Sequence, residues 1–362
     1  MHIVIAHGAD LSKPSGGTER VSAFASGLAD AGHDVTVVVP RPSGSLPSRL
    51  NGVRTSTVPV NHSGIASQPI RGAAVSRRAK RIAEERGAYL QIEHSTLAGL
   101  STLVGCRDFV LDMHDLAHPS PLYGNLPAGM IFQSIVKRME KLGIDEAQEI
   151  IVVSDQMQQL VTDIWNVPAD RFTTIPNGHF PGLTAEFTDV DTVEGRVVFF
   201  GTLHPKISVP IMKEISQLPE LSEFVIIGDG PMRGKLERID SDKIRLTGYL
   251  SDAEAFRTVA SAEVAINPQH VSPLQRASSP VKLYNYAALG VAMVLTEGPD
   301  VVRELGERGA ATVVREGEDF TTAVREILTD PSLRMSMQAA ALDVATEFTW
   351  DERVRSLAEL YG

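Results

Sequence analysis

Ser278-Ser279-Pro280-Val281-Lys282-Leu283-Tyr284-Asn285-Tyr286-Ala287-Ala288-Leu289-Gly290 is the stretch from which the rest of the chain can be read. Pro280 suits the opening of a helix, because its ring fixes φ and its missing N–H would have no partner in a first turn. The helix expected over residues 282–289 exposes the amides of Val281 and Lys282, and its start carries roughly half a positive charge. Such an end receives a phosphate readily. Asn285 falls one turn further in, toward the same opening, at a position to hydrogen-bond a ribose. Short apolar runs at 264–266 and 292–295 flank this helix, so the stretch reads as the crossover between two parallel strands.

The same alternation extends in both directions. Upstream in this half, strands are expected at 196–200, 224–227 and 244–246, with helices at 210–217, 236–239 and 252–261. In the first half, strands are expected at 3–6, 35–39, 90–92, 109–111 and 150–153. Helices are expected over 22–31, closed by Gly32, over about 130–142, and from Ser154 to about Trp165. Residues 181–194 contain Pro181, Gly182 and several acids without a period, and read as a linker. The fold class is therefore α/β, with two doubly wound Rossmann-like domains. Ligands are expected in a cleft at the carboxyl ends of the strands.

The composition agrees. The chain has 362 residues, of which 43% are hydrophobic and 22% charged, a balance suited to two folded domains. No apolar run approaches the roughly 18 residues of a membrane span. The N-terminus lacks the basic and apolar regions of a secretion signal, so a cytoplasmic location is expected. Cys106 is the single cysteine, which excludes an internal disulfide and a cysteine metal cluster. The net charge is −11, with 15 Lys and Arg against 14 Asp and Glu in residues 1–150 and 19 against 31 in the remainder. An acidic chain argues against nucleic acid as a partner. The basic run Arg77-Arg78-Ala79-Lys80-Arg81 keeps transient membrane association open. Glu84 and Glu85, at i,i+4 spacing from it, favour a solvated helix face.

Five further segments carry chemistry. Pro14-Ser15-Gly16-Gly17-Thr18-Glu19-Arg20 follows the first strand, and its paired glycines allow close backbone approach to an anion; it is neither a dinucleotide fingerprint nor a Walker loop. His114 and Asp115 follow the strand at 109–111, where a doubly wound sheet places functional groups. Ile175-Pro176-Asn177-Gly178 is a tight turn. Gly201-Thr202-Leu203-His204-Pro205-Lys206 pairs a permissive glycine with a cation able to meet a phosphate. Ile227-Gly228-Asp229-Gly230-Pro231 has the wrong spacing for a dinucleotide loop.

In this order and spacing, the segments resemble the GT-B glycosyltransferases of family 4. The resemblance runs over nearly the whole chain and includes Val153-Ser154-Asp155 and the tail Phe348-Thr349-Trp350-Asp351. It implies a retaining, metal-independent hexosyltransferase with no cofactor, using a nucleotide sugar as co-substrate, a UDP- or GDP-sugar being expected. It also implies an acceptor-binding domain over 1–180, a sugar-nucleotide domain over 181–345, and a final helix at about 346–362 packing back onto the first. By the same likeness, His114 and Lys206 serve catalysis, His114 by orienting the transferred sugar. Gly16, Gly17, Lys206, Ser279, Pro280, Val281 and Lys282 would hold the donor diphosphate. Gly201, Gly228 and Asn285 would meet the nucleoside, and Glu19 and Asp115 the acceptor, a small molecule, lipid-linked sugar or polysaccharide. Asp189-Val190-Asp191 is formally a metal motif of another fold, discounted because it falls in the linker.

The chain departs from the family in three places. Ala277 and Asn285 replace the usual Glu-x7-Glu pair, and Thr202 replaces an arginine. Arg276 is a candidate replacement charge. The departures leave two alternatives open: an inactive relative acting as a binding subunit, or a sugar-nucleotide epimerase or hydrolase.

Overall fold

The computed structural model describes residues 1–60, 67–119, 129–187 and 189–362. They form two compact units, one of Met1–Pro176 with Trp350–Gly362, the other of Asn177–Thr349. The first division thus falls after Pro176 where one after residue 180 was expected, and the second after Thr349 where one after residue 345 was expected.

The first unit holds a parallel sheet of β1 (His2–Ala6), β2 (Asp34–Pro40), β3 (Arg54–Val58), β4 (Tyr89–Glu93), β5 (Val110–Met113), β6 (Glu149–Val152) and β7 (Phe172–Thr174). Their order is β3-β2-β1-β4-β5-β6-β7. The order reverses at β1, so the carboxyl ends of β1, β4 and β5 lie side by side at a switch point. The helices are α1 (Gly16–Asp30), α2 (Gln68–Arg86), α3 (Ser95–Leu103), α4 (Gly129–Glu146) and α5 (Asp155–Trp165). The helix expected from residue 22 instead begins at Gly16. Ser15 is extended and its Oγ accepts from the Thr18 amide at 3.0 Å, which caps the helix there. The glycine pair therefore lies in the first turn and not in a loop before it.

Two contacts fix this unit. Gly99 and Gly143 bring α3 and α4 together so closely that a Cβ on Gly99 would strike the Met139 carbonyl. The C-terminal helix Trp350–Tyr361 lies on α1, with Trp350 buried edge-on to Phe24 at 5.8 Å. The basic run lies on α2, with Lys80–Glu84 and Arg81–Glu85 pairs at 3.7 and 3.8 Å, the arrangement of a solvated face.

The second unit holds β8 (Arg196–Phe200), β9 (Glu223–Ile227), β10 (Ile244–Gly248), β11 (Val264–Asn267), β12 (Ala292–Thr296) and β13 (Ala311–Val314). This sheet is also parallel, in the order β10-β9-β8-β11-β12-β13. Its main helices are α6 (Val209–Ile215), α7 (Asp252–Ala260), α8 (Val281–Ala288), α9 (Asp300–Glu307), α10 (Phe320–Thr329) and α11 (Pro331–Ala345). The helix expected at 236–239 is the single turn Arg233–Leu236. The expected linker contributes to this unit: Pro181–Thr184 is helical and Phe187 is buried edge-on to Phe256.

Candidate functional site

In the second unit the decisive stretch folds as a set of interlocking contacts at the strand ends. Pro280 is the N-cap of α8, so Val281 and Lys282 occupy its first two positions and their amides have no carbonyl one turn back. The Tyr286 hydroxyl accepts from the Phe200 amide at 2.8 Å, which holds α8 against the end of β8. Lys282 extends along this surface with its Nζ 4.1 Å from the Phe199 ring centroid. Gly201 has a φ of 131°, which suits glycine, and a Cβ there would lie 2.9 Å from Lys282 Cε. The low-polarity surroundings pull the Lys282 ammonium down to about 7. Gly228 serves the same loop from beneath: its φ is 125°, and a Cβ there would strike the Gly201 carbonyl.

Ser279 is held by its neighbours. Its Oγ lies 2.7 Å from the Tyr284 hydroxyl and accepts from the Asn177 amide at 3.2 Å, while Asn177 Nδ2 donates to its carbonyl at 2.6 Å. The Pro-Asn-Gly turn is therefore the clamp of the segment leading into α8.

In the first unit a cavity of about 1060 Å³ opens at the switch point. His7, Glu93, His94 and His114, from the ends of β1, β4 and β5, form its polar floor, and Gly17 and Asp115 also line it. The His114 ring packs against Gly17, with Cε1 3.3 Å from where a Cβ would stand. Beneath lies a buried ion pair: Arg20 donates to Asp112 through Nε at 2.7 Å and Nη2 at 2.9 Å. Because Arg20 follows Gly17 on α1 and Asp112 precedes His114 on β5, this fork sets the distance between helix start and histidine.

Burial and the adjacent Asp112 raise the Glu93 carboxyl well above its usual range. Burial lowers His7 to about 4, and burial with the neighbouring His94 lowers His114 well below its ordinary value. Gln91 Nε2 donates to Glu93 Oε1 at 2.6 Å, and the Tyr361 hydroxyl, from the C-terminal helix, donates to Gln91 Oε1. Both ring nitrogens of His7, Glu93 Oε2 and His114 Nε2 are buried without a hydrogen-bond partner.

Comparison with known proteins gives the family. Residues 15–178 match a glycosyl transferase 4-like domain, and residues 194–330 match glycosyl transferases group 1. The chain belongs to the group 1 (family 4) glycosyltransferases. A phosphatidyl-myo-inositol mannosyltransferase of Mycolicibacterium smegmatis is 25% identical over 375 residues, covering 96% of this chain and 90% of that protein. Sucrose-phosphate synthase of Thermosynechococcus elongatus has the same fold, with a TM-score of 0.79 at 15% identity over 99% of this chain and 98% of the other. So does Anabaena HepE in complex with UDP-glucose, with a TM-score of 0.75 at 15% identity over 100% and 99%. The glycosyltransferase is thus a GT-B enzyme.

The candidate residues of this glycosyltransferase fall into two groups. Gly16, Gly17, His114 and Asp115 lie at the first unit's switch point; Gly201, Gly228, Pro280, Val281, Lys282 and Asn285 lie at strand ends of the second. Three of the candidate residues also make structural contacts. The Glu19 carboxylate accepts from Trp350 Nε1 at 3.4 Å, which ties it to the C-terminal helix. The Ser279 hydroxyl is engaged as described. Gly228 supports the Gly201 loop. Lys206 donates its amide to His204 Nδ1 at 3.3 Å, and its carbonyl accepts from His270. Asn285 is nearly buried, with no side-chain hydrogen bond among the described residues. Ala277 is fully buried, and Arg276 faces Glu297 at 3.8 Å on the surface. Among the described residues, no group of three or more His, Cys, Asp and Glu is spaced to hold a metal, and no helix is long and apolar enough to cross a membrane. His7, Glu93 and His94 were not foreseen, and Asn177 was read only as part of a tight turn. A polar residue at the last position of an apolar strand was the available signal for Glu93.

Proposed function

We propose that this glycosyltransferase moves a hexose from a UDP- or GDP-sugar to an acceptor hydroxyl, with retention of configuration and without a metal. The observation that carries the reading is Lys282: at the start of α8, its cation lies against Gly201, the loop at which the family usually carries an arginine and this chain has Thr202. It restores a positive charge there, beside the free amides of Val281 and Lys282. Lys206 adds a further cation. Preorganised charge of this kind stabilises a departing diphosphate. Asn285 would take the ribose in place of the usual acid. HepE, of the same fold, has been solved with UDP-glucose.

The first unit would receive the acceptor. His114 is held neutral and is a weak base, so it orients the sugar and does not remove a proton. The bond from the anomeric carbon to the phosphate oxygen breaks as the acceptor oxygen bonds on the same face. The acceptor's proton passes to the departing phosphate oxygen. Gly16 and Gly17 offer amide hydrogens at the start of α1, and Asp115 would contact the acceptor.

A thermal-shift series with UDP, GDP, ADP and dTDP tests the donor site. A nucleotide at 100 times its dissociation constant should add about 2.7 kcal/mol of stability. No shift with any of the four would remove the basis of this reading.

A further inference from the structure

We propose that Glu93 holds a substrate hydroxyl at the floor of the first unit's cavity, and that Gln91 and Tyr361 are positioning residues that aim it from the C-terminal helix. The inference rests on the reading of this cavity as a substrate site.

The contacts begin in the sequence of β4. Side chains at i and i+2 share a face of a strand, so Tyr89, Gln91 and Glu93 stand in one row. Tyr361, on the C-terminal helix, meets this row twice. Its ring lies 5.4 Å from that of Tyr89, and its hydroxyl donates to Gln91 Oε1. Burial, with Glu93 and Asp112 nearby, raises the pKa of that hydroxyl well above the usual tyrosine range, so it remains a donor. An amide whose oxygen is taken in this way turns its nitrogen to the other side. Gln91 Nε2 accordingly donates to Glu93 Oε1 at 2.6 Å. One Glu93 oxygen is thereby pinned from the C-terminal helix.

The other oxygen has no structural bond. Arg20 gives its fork to Asp112, which stands opposite Glu93 in register on β5. Glu93 Oε2 is left buried without a hydrogen-bond partner, 3.8 Å from His114 Nε2, which is buried and unpartnered as well. That separation is too long for a direct hydrogen bond. A hydroxyl oxygen about 2.8 Å from each atom would bridge them, since a hydroxyl both donates and accepts. Glu93 and His114 both line the cavity, and a carboxyl serving the core alone would have both oxygens satisfied. The bridging hydroxyl belongs to the transferred sugar or to the acceptor.

Tyr361→Phe keeps the ring on Tyr89 and removes only the hydroxyl. Nitrogen resonances of the His114 ring, in protein labelled at histidine and assigned by their loss in His114→Ala, read the effect. They should move in Tyr361→Phe and stay in place in Val354→Ala, which loosens the same helix at its contact with Gly27. Calorimetry with UDP and UDP-glucose, and with GDP and GDP-mannose, then finds the owner of the hydroxyl. If it is the transferred sugar's, Glu93→Gln and Tyr361→Phe should each weaken the nucleotide sugar about tenfold relative to its nucleoside diphosphate. If it is the acceptor's, both variants should instead slow release of nucleoside diphosphate about tenfold, measured with free hexoses and polyols as acceptors and with water. Binding of the nucleoside diphosphate alone should not change. Unmoved His114 resonances in Tyr361→Phe, equal movement in Val354→Ala, or neither tenfold effect in protein that still binds nucleotide would overturn the inference. Loss of the nucleotide response in the unaltered protein would instead count against the proposed reaction, and the His114 resonances would then judge the aiming of Glu93 separately.

Discussion

In the proposed donor site, Lys282 would take over a charge that the family usually carries at another position. The lysine sits on a helix start and reaches the Gly201 loop from below, with the Phe199 ring alongside. Its environment has a measurable consequence. In the free protein the charge is lost as pH rises through about 7. A bound diphosphate favours the charged form, so binding takes up a proton. The dissociation constant for a nucleotide sugar, whose phosphates do not titrate in this range, should therefore rise by up to about tenfold per pH unit above 7. Calorimetry in buffers of different ionisation enthalpy would measure the uptake. Lys282→Arg, charged throughout, should flatten the profile. A profile equally flat in the unaltered protein would show that Lys282 does not meet the phosphates.

At the level of elements, α8 owes its place to contacts from distant parts of the sequence. Asn177 Nδ2 holds the Ser279 carbonyl, and Tyr286 holds the end of β8. Asn177→Ala would leave a buried carbonyl unpaired, at a cost of about 1–3 kcal/mol. Nucleotide affinity should fall about tenfold, although Asn177 is assigned no contact with the nucleotide; unchanged affinity in titration calorimetry would show that the clamp is dispensable. The same elements show what could be read in the sequence. The buried strands were legible because valine and isoleucine dominate them, as in β2. Edge strands β3 (Arg-Thr-Ser-Thr-Val) and β7 (Phe-Thr-Thr) are polar and half-exposed, so they carry no apolar signature. Helix α3 is buried over most of its surface, so its sequence lacks the polar face that gives a helical period. His114 was legible from its position after a strand. His7 and Glu93 were not, because only the sheet order brings the ends of β1, β4 and β5 together, and that order is set by long-range pairing.

For the whole molecule, the discontinuity of the first unit matters most. Its sheet and α1 are completed by a helix that follows the entire second unit in sequence. Trp350→Ala would remove the largest buried side chain of that helix, with a cost of about 3–5 kcal/mol. Differential scanning calorimetry should then show the first unit melting earlier, while the transition raised by nucleotide stays in place. A uniform fall of both would mean that the units unfold as one. During synthesis this arrangement imposes a delay. A nascent chain leaves the ribosome with residues 1–176 first, yet Phe24 and Gln91 stay uncovered until residues 350–361 emerge. A message cut short within the second unit would yield a first unit whose Phe24 and Gln91 stay uncovered, and such a product should be degraded before it could act as a truncated competitor.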